Sequence, residues 1–207
     1  MKYDLLIKNG TLISGGKEFF CRRGDLAVQE GRIAAVGDLF GDTGREVVDA
    51  GNLAVCPGFI DVHAHSELSV WQEGACLAKA SQGITTELTG QCGISAYPVE
   101  KEAAAGIREY TQSVLGRTDQ NWPWDGLAAY RREIGKRGMA INQGTFIGHG
   151  TLRINTLGFA GRKVTEAELE SMKGMLASAM EEGAFGMSTG LVYAPGMFAD
   201  IRELTEL

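Results

Sequence analysis

The pattern of apolar and polar positions changes near residue 57. Before that point, short apolar runs alternate with small polar and glycine-containing segments. Asn9-Gly10, Glu30-Gly31 and Ala50-Gly51-Asn52 each separate two strand-like runs, and the first two predict hairpins. Several short strands at this spacing are typical of a small sheet or sandwich. Residues 1–57 are therefore predicted to form a small β-domain.

After residue 57, strand-like runs alternate with helical ones. Strands are predicted over residues 59–65, 84–90, 139–147 and 184–190, and helices over residues 74–82, 125–137 and 165–183. Thr165 and Glu168 have the spacing of a capping box at a helix start. The order β-α-β-α-β-α-β predicts a parallel sheet with right-handed crossovers, in either a doubly wound fold or a (β/α) barrel. Residues 58–207 are thus a second predicted domain, with a partly helical insertion near 93–125.

Charge and composition exclude several classes of protein. The 20 lysines and arginines against 26 aspartates and glutamates give a net charge of −6, with no basic stripe to bind nucleic acid. The sequence contains no run of 18 apolar residues, so no membrane span is predicted. The first residues lack the apolar core of a secretory signal. The four cysteines form no CxxC pair. We therefore predict a reduced, cytoplasmic protein that binds neither nucleic acid nor a membrane.

Three side chains predict a metal site. His63 and His65 lie two residues apart at the end of a predicted strand, so they share one face and can chelate one ion. Asp61 lies on the same face and can orient a histidine. Cys92 follows the next strand between two glycines, and its thiolate is a strong zinc ligand if the two strands are neighbours. The alternative for Cys92 is a buried structural cysteine.

Two more polar residues follow the third and fourth predicted strands. His149 lies between two glycines, and Tyr193 lies in a turn-rich loop. The carboxyl ends of parallel strands form the active-site face of a barrel, so both side chains are candidates to contact substrate. The alternatives are a loop histidine that bonds to backbone and a tyrosine that packs on the barrel mouth.

These motifs together resemble the amidohydrolase superfamily and, within it, the D-aminoacylase group of N-acyl-D-amino-acid deacylases. The resemblance covers essentially the whole chain. It rests on Leu6-Ile7-Lys8-Asn9-Gly10-Thr11, Pro57-Gly58-Phe59-Ile60-Asp61-Val62-His63-Ala64-His65, Ser81-Gln82-Gly83-Ile84-Thr85-Thr86, Gln91-Cys92-Gly93-Ile94-Ser95, Gly148-His149-Gly150-Thr151-Leu152-Arg153 and Met187-Ser188-Thr189-Gly190-Leu191-Val192-Tyr193.

The resemblance implies an α/β fold of the amidohydrolase type, a TIM (β/α)8 barrel with a small β-sandwich. This chain would supply the N-terminal part of the sandwich and about four barrel strands. It also implies one or two zinc ions, with Cys92 as the cysteine ligand and His63 and His65 serving a weaker or second metal position. Tyr193 matches a tyrosine that contacts substrate. The implied reaction is hydrolysis of the amide of a small N-acyl-D-amino acid to a carboxylate and a D-amino acid.

The chain departs from the family in length. The family's later histidine ligands and its general-base aspartate have no match here, so the resemblance places that aspartate beyond residue 207 and implies that the 207 residues alone are inactive. An oligomer in which two copies of this half-barrel pair would cover the open edges of the sheet. Two other functions stay open. One is an amidohydrolase acting on cyclic amides or imides, against which the absence of a lysine from residues 184–190 argues. The other is an inactive metal-binding fragment.

Overall fold

The computed structural model describes residues 2–74, 76–118 and 121–207. The chain separates into two compact units, the first ending at Gly58 and the second running from Phe59 to Leu207. Together they form a mixed α/β structure with several sheets. Among the described residues, no helix combines the length and apolar character needed to cross a membrane.

The first unit is a five-stranded sheet. Its strands are β1 (Lys2–Ile13), β2 (Cys21–Gln29), β3 (Arg32–Gly37), β4 (Thr43–Asp49) and β5 (Ala54–Val55). The order is β3-β2-β1-β4, and β5 also pairs with β1. The hairpin predicted at Glu30-Gly31 is confirmed: both residues have positive φ, at 51° and 71°, and they join antiparallel β2 and β3.

The hairpin predicted at Asn9-Gly10 is wrong. Strand β1 continues through these residues with a bulge between Ile7 and Gly10. The carboxylate of Asp25 accepts the Asn9 backbone N–H at 2.8 Å, which satisfies a donor that the bulge removes from the ladder. The turn after Ala50 does separate β4 from β5, but both strands run parallel to β1, so this turn forms no hairpin.

The second unit alternates strands and helices. Its strands are β6 (Phe59–Asp61), β7 (Ile84–Thr89), β8 (Asn142–Thr145), β9 (Ile147–Gly148) and β10 (Met187–Ser188). Its helices are α1 (Glu67–Glu73), α2 (Leu77–Ala80), α3 (Ala104–Leu115), α4 (Leu127–Gly135), α5 (His149–Leu157), α6 (Glu166–Glu181) and α7 (Ile201–Glu206), with a 3-10 turn at Gly196–Phe198. Strands β6-β7-β8 pair in parallel, as do β9 and β10, which confirms the predicted parallel arrangement.

Several predicted boundaries need correction. The first strand ends at Asp61 rather than residue 65, and the chain then turns into helix α1, which the sequence pattern missed. The helix predicted over 74–82 is shorter, Leu77–Ala80, and its predicted residue 75 lies outside the described residues. Helix α4 begins at Leu127 with Gly126 as its cap, so Asp125 does not cap it.

The predicted insertion near 93–125 contributes to the core of the second unit. It supplies helix α3 and the buried Trp124, while residues 119 and 120 lie outside the described part of the chain. The Trp124 indole N–H donates to the Ala96 carbonyl at 2.8 Å, and its ring meets Trp71 edge to face at 5.0 Å. The insertion therefore packs against helix α1 in the core of the second unit.

Candidate metal centre

The segment that follows β6 carries both histidines of the predicted site. Because the strand ends at Asp61, His63 and His65 lie in a turn beyond it and not on a strand face as predicted. One Asp61 oxygen accepts the His63 backbone N–H at 3.1 Å, which turns the chain. The Ala64 N–H donates to the Leu88 carbonyl of β7 at 2.9 Å, so the segment is fixed against the neighbouring strand.

The charged partner of Asp61 comes from helix α2. The Lys79 ammonium donates to the second Asp61 oxygen, and this bond lowers the pKa of the Asp61 carboxyl. Lys79 also lies 3.6 Å from a carboxylate oxygen of Glu87, which is buried in β7. The cation therefore joins the strand before the histidines to the strand before the cysteine.

Cys92 lies in the loop that leaves β7, which we call the cysteine loop, residues 90–93. Gly90, Cys92 and Gly93 all have left-handed backbone, with φ of 73°, 57° and 72°. A Cβ on Gly90 would lie 1.9 Å from the Phe146 carbonyl oxygen, so only glycine fits there. The Gln91 side-chain amide donates to the Val62 carbonyl at 2.9 Å and links this loop to the histidine segment.

These two segments bring His63, His65 and Cys92 together. One ligand atom of each residue lies within 4.8 Å of the other two. Among the described residues, these three side chains form a group that could hold a metal ion. The Cys92 Sγ lies 3.2 Å from His63 Nε2, and the two imidazole rings meet edge to face with centroids 5.4 Å apart. Nitrogen and sulfur donors in this combination are those that zinc prefers.

His65 carries a further sign of a metal ligand. Its Nδ1 is buried and has no hydrogen-bond partner within the described residues. Burial lowers the pKa of His65, and the neighbouring His63 lowers it further. Both effects favour the neutral imidazole, which is the form that binds a metal ion. The residues therefore fit a zinc ion by donor type, proximity and an otherwise unpaired buried nitrogen.

Two buried glutamates, which the sequence analysis missed, form hydrogen bonds to the segments around His65 and Cys92. A Glu67 oxygen accepts the Gly90 N–H at 3.0 Å, and burial raises the pKa of Glu67 to about 8. Glu87 accepts hydrogen bonds from the Ser66 hydroxyl and from the Gln143 amide, the latter at 3.0 Å. The signal in the sequence was weak, because a glutamate in a strand or a first helical turn is usually solvated.

Tyr193 lies beside the cysteine loop. Its hydroxyl donates to the backbone carbonyl of Cys92, and it therefore touches the proposed ligand residue directly. Ser188, another residue that the sequence analysis did not single out, contacts the same loop through the Gly90 carbonyl and the Gly93 N–H. Serine at a strand end carries no distinctive sequence signal, since its partners are almost 100 residues away.

The structure does not place His149 in the metal-ligand group. The side chain is fully buried at the start of α5, where Nε2 lies 2.7 Å from a carboxylate oxygen of Glu203. The same carboxylate accepts two hydrogen bonds from the Arg153 guanidinium, which is also buried. His149 is therefore paired with a side chain of helix α7. The alternative considered from the sequence was a loop histidine that bonds to backbone, and these contacts differ from it.

Comparison with known proteins gives consistent matches. Residues 46–206 match the profile of the amidohydrolase family. The N-acyl-D-aspartate deacylase of Alcaligenes xylosoxydans xylosoxydans is 38% identical over 206 residues, which are 99% of this chain and 40% of that protein. The chain thus spans about two fifths of the length of the curated relatives it matches.

Solved structures match with the same coverage. An N-acyl-D-glutamate deacylase from Bordetella bronchiseptica, complexed with zinc and a phosphonate mimic of the tetrahedral intermediate, is 37% identical with a TM-score of 0.87. It covers 100% of this chain, which spans 42% of it. A D-aminoacylase structure is 32% identical, with a TM-score of 0.89. The match covers 99% of this chain and 42% of the D-aminoacylase chain. With a profile match over residues 46–206, the chain belongs to the amidohydrolase family.

Proposed function

We propose that the protein containing this chain hydrolyses the amide bond of small N-acyl-D-amino acids, with zinc, to a carboxylate and a D-amino acid. The observation that carries the proposal is the convergence of His63, His65 and Cys92 at the ends of two neighbouring parallel strands. Its support from relatives is the likeness to deacylases of N-acyl-D-aspartate and N-acyl-D-glutamate. The activity is assigned to the whole protein, since the chain corresponds to about two fifths of those relatives.

The roles of this chain's residues follow from their contacts. His63, His65 and Cys92 would hold one or two zinc ions, and bound zinc supplies a Lewis acid that polarises a carbonyl and lowers the pKa of water. Tyr193 would meet the substrate beside Cys92. Its hydroxyl donates to the Cys92 backbone carbonyl, and its oxygen can still accept a hydrogen bond from a substrate N–H. We assign the general base to an aspartate in the part of the relatives that extends past the region matched by this chain. The burial of His149 gives no support for a substrate contact.

The finer fold assignment belongs to the same proposal. We infer that residues 1–57 belong to a small β-sandwich and that residues 58–207 form the first four strands of a (β/α)8 barrel. The parallel pairing of β6-β7-β8 and of β9-β10 supports the barrel. A cytoplasmic location is supported by Cys92, since a thiolate ligand has to stay reduced.

The test is hydrolysis of N-acetyl-D-aspartate, N-acetyl-D-glutamate and their L-enantiomers by the full-length protein loaded with zinc. We expect turnover of a D-enantiomer, released amine being the readout, and loss of turnover in Cys92→Ala. Cys21→Ala removes an exposed thiol in the first unit and serves as the matched control. Absence of turnover with every D-substrate, or full activity in Cys92→Ala, would overturn the proposal. Turnover of a cyclic imide in its place would establish the cyclic-amide alternative.

A further inference from the structure

The cysteine loop holds Cys92 in a backbone conformation that a cysteine does not favour. Cys92 is left-handed at φ 57° between the left-handed glycines Gly90 and Gly93. A residue with a Cβ rarely occupies this region unless surrounding structure holds it there. The turn is closed locally by a hydrogen bond from the Ile94 N–H to the Gln91 carbonyl at 2.9 Å, and the bonds described below come from other segments. The direction of the Cys92 side chain therefore depends on contacts from outside the loop.

Ser188 supplies two of those contacts with one hydroxyl. Its Oγ accepts the Gly93 N–H at 2.9 Å and donates to the Gly90 carbonyl. These are the first and last residues of the loop, so the hydroxyl ties both ends of the loop to strand β10. The hydroxyl satisfies the N–H and the carbonyl together because it can accept and donate at once, whereas the methyl group of an alanine can do neither.

Tyr193 supplies a third contact, at the ligand residue itself. Its hydroxyl donates to the Cys92 carbonyl, while the Tyr110 hydroxyl of helix α3 donates to the next carbonyl, that of Gly93, at 3.2 Å. The Tyr193 phenol is partly buried, so its hydrogen bond to the Cys92 carbonyl is partly shielded from water.

The two backbones approach too closely for side chains or water to intervene. A Cβ on Gly190 would lie 2.2 Å from the Cys92 carbonyl oxygen, and a Cβ on Gly93 would lie 2.7 Å from the Gly190 nitrogen. Residues 188–193 therefore lie directly against the cysteine loop. A shift of this segment changes the position of Cys92.

We propose that residues 188–193 form a clamp that sets the position of the Cys92 thiolate for the metal, with Ser188 and Tyr193 as its positioning residues. The inference rests on the proposed metal site. It gives Tyr193 a role that a substrate contact does not require. In the clamp, the phenol acts through the carbonyl of Cys92 even when no substrate is bound.

The experiment measures metal binding in the full-length protein without substrate. Zinc affinity is measured by competition with a chromophoric chelator, and the thiolate is monitored by sulfur-to-metal charge-transfer absorption after cobalt(II) substitution. We expect Ser188→Ala and Tyr193→Phe each to weaken zinc binding roughly ten- to hundredfold, the usual effect of losing a group that orients a ligand. Both variants should also reduce or shift the charge-transfer band. Ser188→Thr keeps the hydroxyl and should restore most of the affinity.

Matched controls separate the clamp from general effects of the substitutions. Tyr3→Phe removes a phenol hydroxyl in the first unit, and Ser171→Ala removes an exposed hydroxyl in α6, and neither should change zinc binding. Circular dichroism checks folding. If Ser188→Ala fails to fold, the nearly isosteric Tyr193→Phe carries the test.

Two outcomes overturn the clamp. One is wild-type zinc affinity and an unchanged cobalt spectrum in Tyr193→Phe; a raised KM beside them would make Tyr193 a substrate contact only. The other is Ser188→Thr binding zinc as weakly as Ser188→Ala. Failure of the proposed function is distinguishable: wild-type protein would then bind zinc through Cys92, with the variants weakened as expected, and still leave N-acyl-D-amino acids intact.

Discussion

At the scale of single residues, the site depends on backbone that only glycine adopts without strain. Gly90 has φ 73°, and its missing side chain makes room for the Phe146 carbonyl of the neighbouring segment. Its N–H donates to the buried Glu67, so the same residue joins the start of helix α1 to the cysteine loop. Conformation and close approach therefore act together at this position.

Gly90→Ala tests that combination. We expect it to destabilise the protein by more than about 3 kcal/mol, since left-handed strain of about 1–2 kcal/mol adds to the displacement of a backbone carbonyl. Gly138→Ala is the matched control, because Gly138 has φ 75° and open space where a Cβ would lie. It should lose only the strain, about 1–2 kcal/mol. Equal losses in urea unfolding of the two variants would contradict the close-approach argument.

At the scale of elements, local signals predicted some boundaries well and others poorly. Helix α6 has the expected capping box, with the Thr165 hydroxyl accepting the Glu168 N–H and the Glu168 carboxylate accepting the Thr165 N–H at 2.7 Å. Such signals are reliable because both partners lie within one helical turn. The end of β6 was predicted too late, because the side chain of Asp61 turns the backbone at His63 and overrides the apolar alternation.

Thr165→Ala tests the contribution of the cap. We expect a loss of about 1 kcal/mol in the free energy of unfolding, because the Glu168 N–H loses its partner. Ser171→Ala in the same helix removes an exposed hydroxyl and should be neutral or slightly stabilising, since alanine is the better helix former. Thermal unfolding monitored by circular dichroism distinguishes them, and an unchanged midpoint for Thr165→Ala would refute the capping role.

At the scale of the whole second unit, a buried charge cluster attaches the last helix. Glu203 of α7 accepts hydrogen bonds from His149 and Arg153 of α5, and all three side chains are fully buried. Burial alone would raise the pKa of Glu203, but the hydrogen bonds and the charge of Arg153 outweigh it and lower the pKa below the ordinary 4.5. Helix α7 is therefore attached by a charged carboxylate.

Glu203→Gln tests this attachment. We expect a loss of about 3–5 kcal/mol at pH 7, because the buried Arg153 loses its counter-charge. The exposed pair Glu166–Arg202 provides the control, and Glu166→Gln should lose at most about 1 kcal/mol.

The pH dependence of the difference between Glu203→Gln and wild type follows from the lowered pKa. A carboxyl whose pKa is lowered on folding stabilises the folded state above its unfolded pKa and loses that contribution as the pH falls. The wild-type advantage should therefore be full near pH 7 and shrink below about pH 4.5. A difference in unfolding free energy that stays constant from pH 7 to pH 3.5 would contradict the assignment.

Local sequence patterns were enough to predict the capping box of α6, strand β7 and the parallel order of strands, and to select His63, His65 and Cys92 as candidate metal ligands. Each of these is encoded within a few residues or in a repeating pattern. Which groups meet was evident only in the folded chain, as for Ser188 with a loop 95 positions earlier and Glu203 with His149. Burial likewise raises the pKa of Glu67, although a glutamate reads as a solvated residue in sequence. Contacts between distant segments depend on strand pairing and close packing, which no short pattern of residues specifies.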